Sequence, residues 1–418
     1  MFQTNNRWHN KARALDRYRW QQYRERHGLF GSLSRFLRDA LVDWCYGCYA
    51  KWCAGTPTEC RTCDYLLLQS APRIIDLKRK KALIDTLRER GHVLIETALP
   101  ERLDACRNRQ LVKPPFAVPT RYFEFAAHAE WICRVYQPRV LLNDRNGSLY
   151  SPFLRLSLAA RSAQLVHLAH ATTAESSRRL GMNDYDYYLL FGRSSLDALL
   201  ARTLRFGTST ILLTGSHMID RSFDIPPATA TGRTVLVLGV GPDREKEIGY
   251  HNTYAMLRDW AAQHPDYRVL IKRHPRSTVP FWQEASQVLP NIVVLSADCP
   301  LAKALEQASI VVNIMSNAVI EAGLAGRPVI FCNLSDNRDI FTQEAFFGPV
   351  VTSVQKFDAN IQMIESDYLA SVRRARDFAD FHLANGFQGL EKTVGVLEDL
   401  LAGRRPSGVE QFTLSATT

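Results

Sequence analysis

Several polar residues in the second half of the sequence follow short apolar runs, where a parallel strand is expected to end. Arg273, His274 and Pro275 follow the run VLIK, and Ser316 and Asn317 follow the run VVNIM. Arginine and histidine can donate hydrogen bonds to a phosphate, and the free N–H groups at the start of a helix attract an anion. We therefore expect both segments to bind the phosphate of one ligand.

Three more residues complete this predicted set. Gly239 and Gly241 lie in the turn GVGP after the run VLVL, where their backbone N–H groups could reach a phosphate. Glu321 lies one helical turn after Asn317 on the same predicted helix. Two structural alternatives stay open, because a helix N-cap would also explain Ser316 or Asn317, and Glu321 could face solvent.

The first half of the sequence offers candidates for a general base. His170 follows the run LVHLA, and the unperturbed pKa of histidine lies near neutrality, which suits proton transfer. Asp144 and Glu175 are the competing carboxylates. A purely structural role for His170 is the alternative.

The segments that carry these residues alternate between strands and helices. DYLLLQS, a charged amphipathic helix and HVLIETAL form a βαβ unit, and a second alternating series starts at TVLVLGVG. The pattern predicts an α/β fold with two Rossmann-like domains behind a helical basic leader. The predicted boundaries are a leader at 1–63, an N-terminal Rossmann-like domain at 64–220, a linker at 221–232, a C-terminal Rossmann-like domain at 233–400 and a flexible tail at 401–418.

The chain of 418 residues has a formal net charge of +10, and many of its basic residues precede residue 40. There they alternate with aromatic residues, a pattern typical of a helix at an anionic lipid surface. A helix packed on its own domain would give the same pattern. The sequence has no apolar run of about twenty residues and no secretory signal, so we expect a cytoplasmic protein, peripheral on the inner membrane at most. No nucleic-acid-binding motif is present, and no nucleic-acid partner is expected.

Four of the nine cysteines have a spacing that could hold zinc: Cys45, Cys48, Cys60 and Cys63. The segment LVDWCYGCYAKWC also reads as an apolar helical face, on which a cysteine packs as a small hydrophobic residue. The cysteines are weak candidates, and no metal or other cofactor is expected to be required.

Two segments of the chain resemble a known family. IKRHP at 271–275 and SNAVIEAGLAGRPVIF at 316–331 resemble the donor-binding half of glycosyltransferases with the GT-B fold. The nearest likeness is to an HP-motif group of polysialyltransferases, Kdo transferases and CDP-glycerol glycerophosphotransferases. The segment HATTAESSRRLGMNDYDYYLLFG at 170–192 is similar to the His-Gly turn and following strand of the glycerophosphotransferases, but Ala171 stands where they have glycine.

The resemblance implies a nucleotide-sugar donor, with a CMP-linked sugar favoured, and a surface polysaccharide or lipopolysaccharide acceptor. It also implies a catalytic histidine at His170 and a nucleotide-binding acid at Glu321. Transfer of glycerol phosphate from CDP-glycerol is one alternative. A sugar-nucleotide epimerase of the same two-domain architecture is the other.

Overall fold

The computed structural model describes residues 7–57, 59–172, 178–219 and 221–417. It divides into two compact units, described one at a time below. Unit 1 comprises Met1–Met218 and Gln388–Thr418, and unit 2 comprises Ile219–Phe387. Each unit is an α/β structure with its own sheet.

Unit 1 begins with two helices and continues with alternating strands and helices. Its elements up to residue 213 are, in chain order, α1 (Arg7–Arg24), α2 (Leu29–Cys53), β1 (Cys63–Gln69), α3 (Pro72–Asp76), α4 (Lys81–Glu89), β2 (Leu94–Ala98), α5 (Arg102–Arg107), α6 (Thr120–Tyr136), β3 (Pro138–Asn143), α7 (Ser151–Ala159), β4 (Gln164–Leu168), β5 (Tyr187–Leu190), α8 (Arg193–Leu200) and β6 (Ser209–Leu213).

The six strands of this segment pair in parallel in the order β6-β5-β4-β3-β1-β2. Their apolar runs are buried, as expected for a sheet whose connections pass over its faces. The chain moves from β1 to β2 on one side and to β3, β4, β5 and β6 on the other. The strand order therefore reverses between β1 and β3, and such a switch point opens a crevice at the carboxyl ends of the strands.

The two leader helices are part of unit 1. In α1, Trp8 and Tyr18 are buried, and the Trp8 ring lies 6.0 Å from that of Phe153. Lys11 Nζ forms an ion pair of 2.8 Å with buried Asp184. Of the two interpretations of the basic-aromatic pattern, packing on the domain therefore describes α1. Within the described residues, no helix is long and apolar enough to cross a membrane.

Unit 2 has a smaller sheet. Its elements are β7 (Thr234–Leu238), α9 (Pro242–Glu245), α10 (Ile248–Gln263), β8 (Arg268–Lys272), α11 (Phe281–Val288), β9 (Ile292–Val294), α12 (Leu301–Gln307), β10 (Ile310–Asn313), α13 (Ala318–Leu324), β11 (Val329–Phe331), α14 (Gln343–Phe347), α15 (Val354–Ser366) and α16 (Tyr368–His382).

The strands of unit 2 are all parallel, in the order β11-β10-β7-β8-β9. Here the order reverses between β7 and β10, so the expected crevice lies where these two strands end. Trp260 and Trp282 are fully buried in the core that supports this edge. The prediction of an α/β fold with two Rossmann-like domains is confirmed.

The last segment of the chain returns to unit 1, which differs from the predicted boundaries. Helix α17 (Gly389–Leu401) buries Val394, Leu397 and Leu400 in the core of unit 1, beside α4. Strand β12 (Glu410–Leu414) then pairs antiparallel with β6 and becomes the edge of a seven-stranded sheet in the described chain. The prediction that 233–400 forms one domain and 401–418 a flexible tail was wrong from residue 388 onwards. The apolar face of α17 packs in the core of unit 1, and β12 pairs with a strand of unit 1.

Candidate functional site

The predicted donor-binding residues of unit 2 lie at the carboxyl ends of three neighbouring strands. In register, Leu238 of β7 pairs with Lys272 of β8, and Val237 pairs with Val312 of β10. The strands therefore end at the same edge of the sheet. The segments that start at Gly239, Arg273 and Ser316 follow these ends and flank the switch point.

Gly239 is required by the close approach of the next loop. A Cβ atom at this position would lie 2.7 Å from the backbone nitrogen of His274 and 2.9 Å from Cα of Arg273. Its own N–H donates to the carbonyl oxygen of Lys272 at 2.8 Å, so it is engaged in the sheet rather than directed at a ligand. A Cβ atom at Gly241, the N-cap of α9, would meet no atom within 4 Å. The turn thus positions the loop that contains Arg273 and His274.

His274 is held in a neutral form suited to hydrogen-bond donation. The backbone N–H of Arg276 donates to His274 Nδ1 at 3.1 Å, which places the ring proton on Nε2. Burial lowers the pKa of His274, and the charge of Arg276 lowers it further against the opposing effect of Glu245. His274 is therefore neutral at pH 7, with Nε2–H as its remaining donor. Pro275, the next residue, is exposed.

Arg273 is partly buried beside α11. With the amide oxygen of Gln283 turned towards the guanidinium, Arg273 Nη2 donates to it at 3.0 Å. Nε of Arg273 is shielded from solvent and has no hydrogen-bond partner among the described residues. The side chain is thus partly fixed and retains a donor that an anion could use.

Ser316 and Asn317 precede the short helix α13. The backbone N–H of Ser316 donates to Asn313 Oδ1 at 3.0 Å, and Ser316 Oγ accepts from the N–H of Ala318 at 3.4 Å. Asn317 is exposed and makes no side-chain cap. Of the two N-cap alternatives, only Ser316 shows a bond of that kind.

Glu321 differs from a carboxylate that faces solvent. Its Oε2 is shielded from solvent and has no partner in the described part of the chain. Burial raises the pKa of Glu321 from its ordinary value of 4.5 to about 7. A shielded oxygen without a partner is normally satisfied by water or by a ligand, so Glu321 could accept a hydrogen bond from a bound hydroxyl.

Glu245 was not identified from the sequence. This α9 residue is buried, accepts from the hydroxyl of Tyr254 at 3.2 Å through Oε1, and has no partner for Oε2 among the described residues. Its charge raises the pKa of His274, so the two side chains lie near each other. The only sequence signal is its place one turn after the glycine-rich segment.

At the switch point of unit 1, Asp144 forms a buried ion pair with Lys80. Lys80 Nζ lies 2.7 Å from Asp144 Oδ2 and also donates to Gln69 Oε1 at 3.3 Å. Gln69 in turn donates to Glu96 Oε1 at 2.7 Å. Lys80 is only 2% exposed, and Asp144 Oδ1 has no partner in the residues described. Asp144 is therefore fixed as the counterion of a lysine that the sequence prediction missed.

Three histidines lie around this ion pair. Buried His167 accepts from Asn143 Nδ2 at 3.0 Å and donates from Nε2 to Asn146 Oδ1 at 2.8 Å, which assigns it to the wall of the site. Burial lowers the pKa of His217 to about 3, with further lowering by Lys80 and His170. His217 Nε2 is shielded and has no partner within the described chain.

His170 is the exposed member of this group, and its charge also lowers the pKa of His167. The structure therefore places His170 near His167, His217 and Lys80. Glu175, the competing carboxylate, lies outside the described residues.

The four candidate zinc ligands are not brought together. Cys45 and Cys48 lie on α2, Cys60 is exposed before β1, and Cys63 is buried in β1 with its Sγ 3.4 Å from the carbonyl oxygen of Tyr136. Burial raises the pKa of Cys63 to about 12, which disfavours the thiolate that zinc requires. The described residues contain no group of three or more His, Cys, Asp or Glu side chains that could hold a metal ion.

A cavity of about 890 Å³ lies at the opposite edge of the unit 1 sheet. Its lining includes Pro138 and Gln164, the first residues of β3 and β4, together with Arg134, Arg139 and Arg161. Arg134 and Arg161 both form ion pairs with Glu130. Because ligands of open α/β sheets bind at the carboxyl ends of the strands, we do not assign this cavity to the site.

Comparison with known proteins shows the fold alone. No protein-family model matches the chain, and no curated protein matches its sequence. A Listeria monocytogenes protein assigned as a UDP-N-acetylglucosamine 2-epimerase is similar in structure, with a TM-score of 0.54 and 12% identity over 82% of this chain and 98% of its own.

Two further solved structures are similar to the same extent. A UDP-N-acetylglucosamine 2-epimerase has a TM-score of 0.52 and 13% identity over 83% of this chain and 99% of its own. The glycotransferase of kitacinnamycin has a TM-score of 0.50 and 14% identity over 82% of this chain and 100% of its own. The chain thus has the two-domain GT-B architecture that these enzymes share.

Proposed function

We propose that this protein is a glycosyltransferase that binds a nucleotide-activated sugar at the carboxyl edge of unit 2. The observation that carries the proposal is the set of unused polar groups around the switch point between β7 and β10. His274 Nε2–H and Arg273 Nε are donors suited to a phosphate, and the shielded Oε2 of Glu321 is an acceptor suited to a ribose hydroxyl. Donors on one side and an acceptor on the other match a nucleotide better than a simple anion.

The proposed donor carries a cytidine nucleotide, with a CMP-linked sugar favoured. The support is the resemblance of IKRHP at 271–275 to the HP-motif group, whose members use cytidine nucleotides. Transfer of glycerol phosphate from CDP-glycerol would use the same motif. The proposed acceptor is a growing surface polysaccharide or lipopolysaccharide, reached from the cytoplasmic side of the membrane, and no metal is required.

In the proposed reaction, the acceptor oxygen forms a bond to the anomeric carbon while the bond from that carbon to the donor phosphate oxygen breaks. His170 takes the proton of the acceptor hydroxyl. The electron pair of the broken bond leaves with the nucleotide phosphate, whose charge is met by hydrogen bonds from Arg273 and His274. Among the side chains predicted as the base, His170 is favoured over Asp144, because His170 is exposed, whereas Asp144 is buried and its Oδ2 already contacts Lys80 Nζ at 2.7 Å.

A sugar-nucleotide epimerase is the second candidate, supported by the two epimerases of the same architecture. Their names specify a UDP-linked sugar as substrate. An epimerase converts its substrate without an acceptor, and it would use carboxylates and histidines around the sugar. The group formed by Asp144, Lys80, His170 and His217 in unit 1 would suit that role.

A nucleotide screen tests the donor assignment. The melting temperature of the full chain is measured with CMP, CDP, UDP and GDP, because a ligand at about 100 times its Kd stabilises the fold by about 2.7 kcal/mol. We expect the cytidine nucleotides to give the largest increase. A preference for UDP, together with conversion of a UDP-sugar in the absence of any acceptor, would replace the transferase proposal with the epimerase.

Substitution of His170 tests the base. We expect His170→Ala to lower turnover about 10²- to 10⁴-fold, the usual contribution of a general base, while the nucleotide Kd stays unchanged. Glu175→Gln and Asp144→Asn are the comparison variants. Near-normal turnover in His170→Ala with a loss in either carboxylate variant would transfer the role to that carboxylate. Normal turnover in all three would refute base catalysis from unit 1.

A further inference from the structure

The basic-aromatic leader contains two helices whose surroundings differ. Helix α1 packs on the rest of unit 1 through buried Trp8 and Tyr18 and through the Lys11–Asp184 ion pair. One side of helix α2 packs on α6, where Gly47 lies so close to the backbone of Thr120 that no Cβ atom would fit. The opposite side is called the outer face below. Among the described residues of unit 1, none covers the outer face of α2, whose large apolar side chains are exposed.

This outer face is apolar along the whole helix. Its exposed large side chains before the last turn are Leu29, Phe30, Leu33, Leu37, Leu41, Val42 and Trp44. Most of them recur every three or four residues, so they form one stripe along a helix of 25 residues. Trp52 extends the stripe to the last turn and is 82% exposed, and Phe30 is 85% exposed. A contiguous apolar stripe of this kind marks a docking surface.

The exposed charged residues nearest to the stripe in the sequence are mostly basic. Residues 24–38 contain Arg24, Arg26, Arg35 and Arg38 against a single acid, Glu25. All four arginines are exposed.

The acids of α2 itself are already paired. Asp43 is buried and contacts Arg19 at 2.7 Å and Arg102 at 2.9 Å, while Asp39 contacts Arg38 at 3.1 Å and accepts from the hydroxyl of Tyr23. The partner of this surface must therefore be apolar and negatively charged.

We propose that the outer face of α2 lies in the headgroup region of an anionic lipid bilayer, parallel to the membrane plane. Leucine and phenylalanine side chains enter the acyl boundary, tryptophans occupy the interface, and the arginines contact lipid phosphates. A second copy of the chain fits less well, because it would bring four more arginines to the face and only one more acid, Glu25. This inference concerns where the protein binds and holds whatever reaction the two units catalyse.

Vesicle flotation of the full-length protein tests the proposal. The vesicles contain either phosphatidylcholine alone or phosphatidylcholine and phosphatidylglycerol in equal parts. We expect the protein to float with the anionic vesicles and to remain largely unbound with the neutral ones. We expect Arg35→Gln to weaken binding to anionic vesicles about fivefold, with little effect on neutral ones.

The apolar contribution is tested with the double variant Phe30→Ser/Trp52→Ser. Both side chains are exposed, so the fold should be unaffected, and membrane partitioning should fall more than tenfold. The matched control is Val288→Ser/Leu369→Ser, which removes side chains of unit 2 that are 79% and 71% exposed. This control should float like the unmodified protein.

Three outcomes would overturn the proposal. Equal flotation with neutral and anionic vesicles would remove the role of the arginines. Unchanged flotation of Phe30→Ser/Trp52→Ser would remove the role of the stripe. A dimer in size-exclusion chromatography that this variant dissociates would assign the face to a second copy of the chain.

Discussion

Replacing Glu321 with glutamine removes an ionisable group from the predicted nucleotide site while keeping its shape. Burial raises the pKa of Glu321 from 4.5 to about 7, so the folded protein binds this proton more tightly than the unfolded chain. The protonated carboxyl group therefore favours folding fully below pH 4.5, and this contribution is lost as the pH rises to about 7. Since one pKa unit corresponds to about 1.4 kcal/mol, the ionised carboxylate destabilises the fold by up to about 3 kcal/mol.

The assay is chemical denaturation of both proteins at pH 5 and pH 8. Tryptophan fluorescence is a suitable signal, because Trp260 and Trp282 are fully buried in unit 2. We expect the variant and the unmodified protein to differ little at pH 5, and the variant to be more stable at pH 8. The matched control is Glu284→Gln, which replaces an exposed acid of unit 2. Its free energy of unfolding should equal that of the unmodified protein at both pH values.

Nucleotide binding gives a second readout for the same substitution. If a ribose hydroxyl donates to Oε2 of Glu321, Glu321→Gln should weaken nucleotide binding by about 1.5–3 kcal/mol, which is the usual contribution of a hydrogen bond to a charged group. Binding to the unmodified protein should strengthen between pH 6 and pH 8, as Glu321 ionises, and binding to the variant should not. Identical pH profiles of stability and affinity in the two proteins would refute the assignment of Glu321 as a shielded carboxylate that binds the ligand.

Three further perturbations follow from the site and the fold. Gly239→Ala should weaken nucleotide binding about tenfold in calorimetry, because overpacking that costs about 1–3 kcal/mol displaces the loop of Arg273 and His274. Gly241→Ala, at an open position, should bind the nucleotide normally, and equal affinities of the two variants would contradict the positioning role of Gly239. Lys80→Met should lower the free energy of unfolding by about 3–5 kcal/mol by leaving Asp144 charged and buried, and Lys80→Met/Asp144→Leu should recover much of it; a double variant no more stable than the single one would contradict this account. Deletion of residues 404–418 removes β12 and exposes the edge of β6, so it should lower the melting temperature and promote aggregation; an unchanged melting curve would show that β12 adds nothing to unit 1.

The positions of the strand-end residues were predictable because a parallel strand leaves a readable pattern. An apolar run buried on both faces, followed by polar residues, fixes the sheet edge at which Asp144 lies in unit 1 and the sheet edge at which Arg273 and Ser316 lie in unit 2. The sequence was less informative on the environment of each side chain. Lys80 stands in the basic segment Lys78–Lys81, and no local signal distinguishes the lysine that is buried against Asp144 from its neighbours.

The same limit applies to whole helices. The amphipathic pattern of 389–401 predicts a helix, but the partner that covers its apolar face, α4, lies some three hundred residues earlier in the chain. Likewise, α1 and α2 both contain basic and aromatic residues, and only contacts with distant residues such as Phe153 and Asp184 decide that α1 is packed. Long-range pairing, which local propensity does not encode, accounts for both differences.

The return of α17 and β12 to unit 1 has a consequence for biosynthesis. A ribosome makes the chain from its amino terminus, and domains ordinarily fold in the order in which they emerge. Here Ile219–Phe387 emerges as one uninterrupted unit, whereas unit 1 must wait for Gln388 and the residues after it before its sheet and core are complete. Until then, the surface that receives Val394, Leu397 and Leu400 and the free edge of β6 are open to misassociation. The part translated second is therefore the first that can finish folding, and a nascent chain paused before residue 388 would be a client for chaperones.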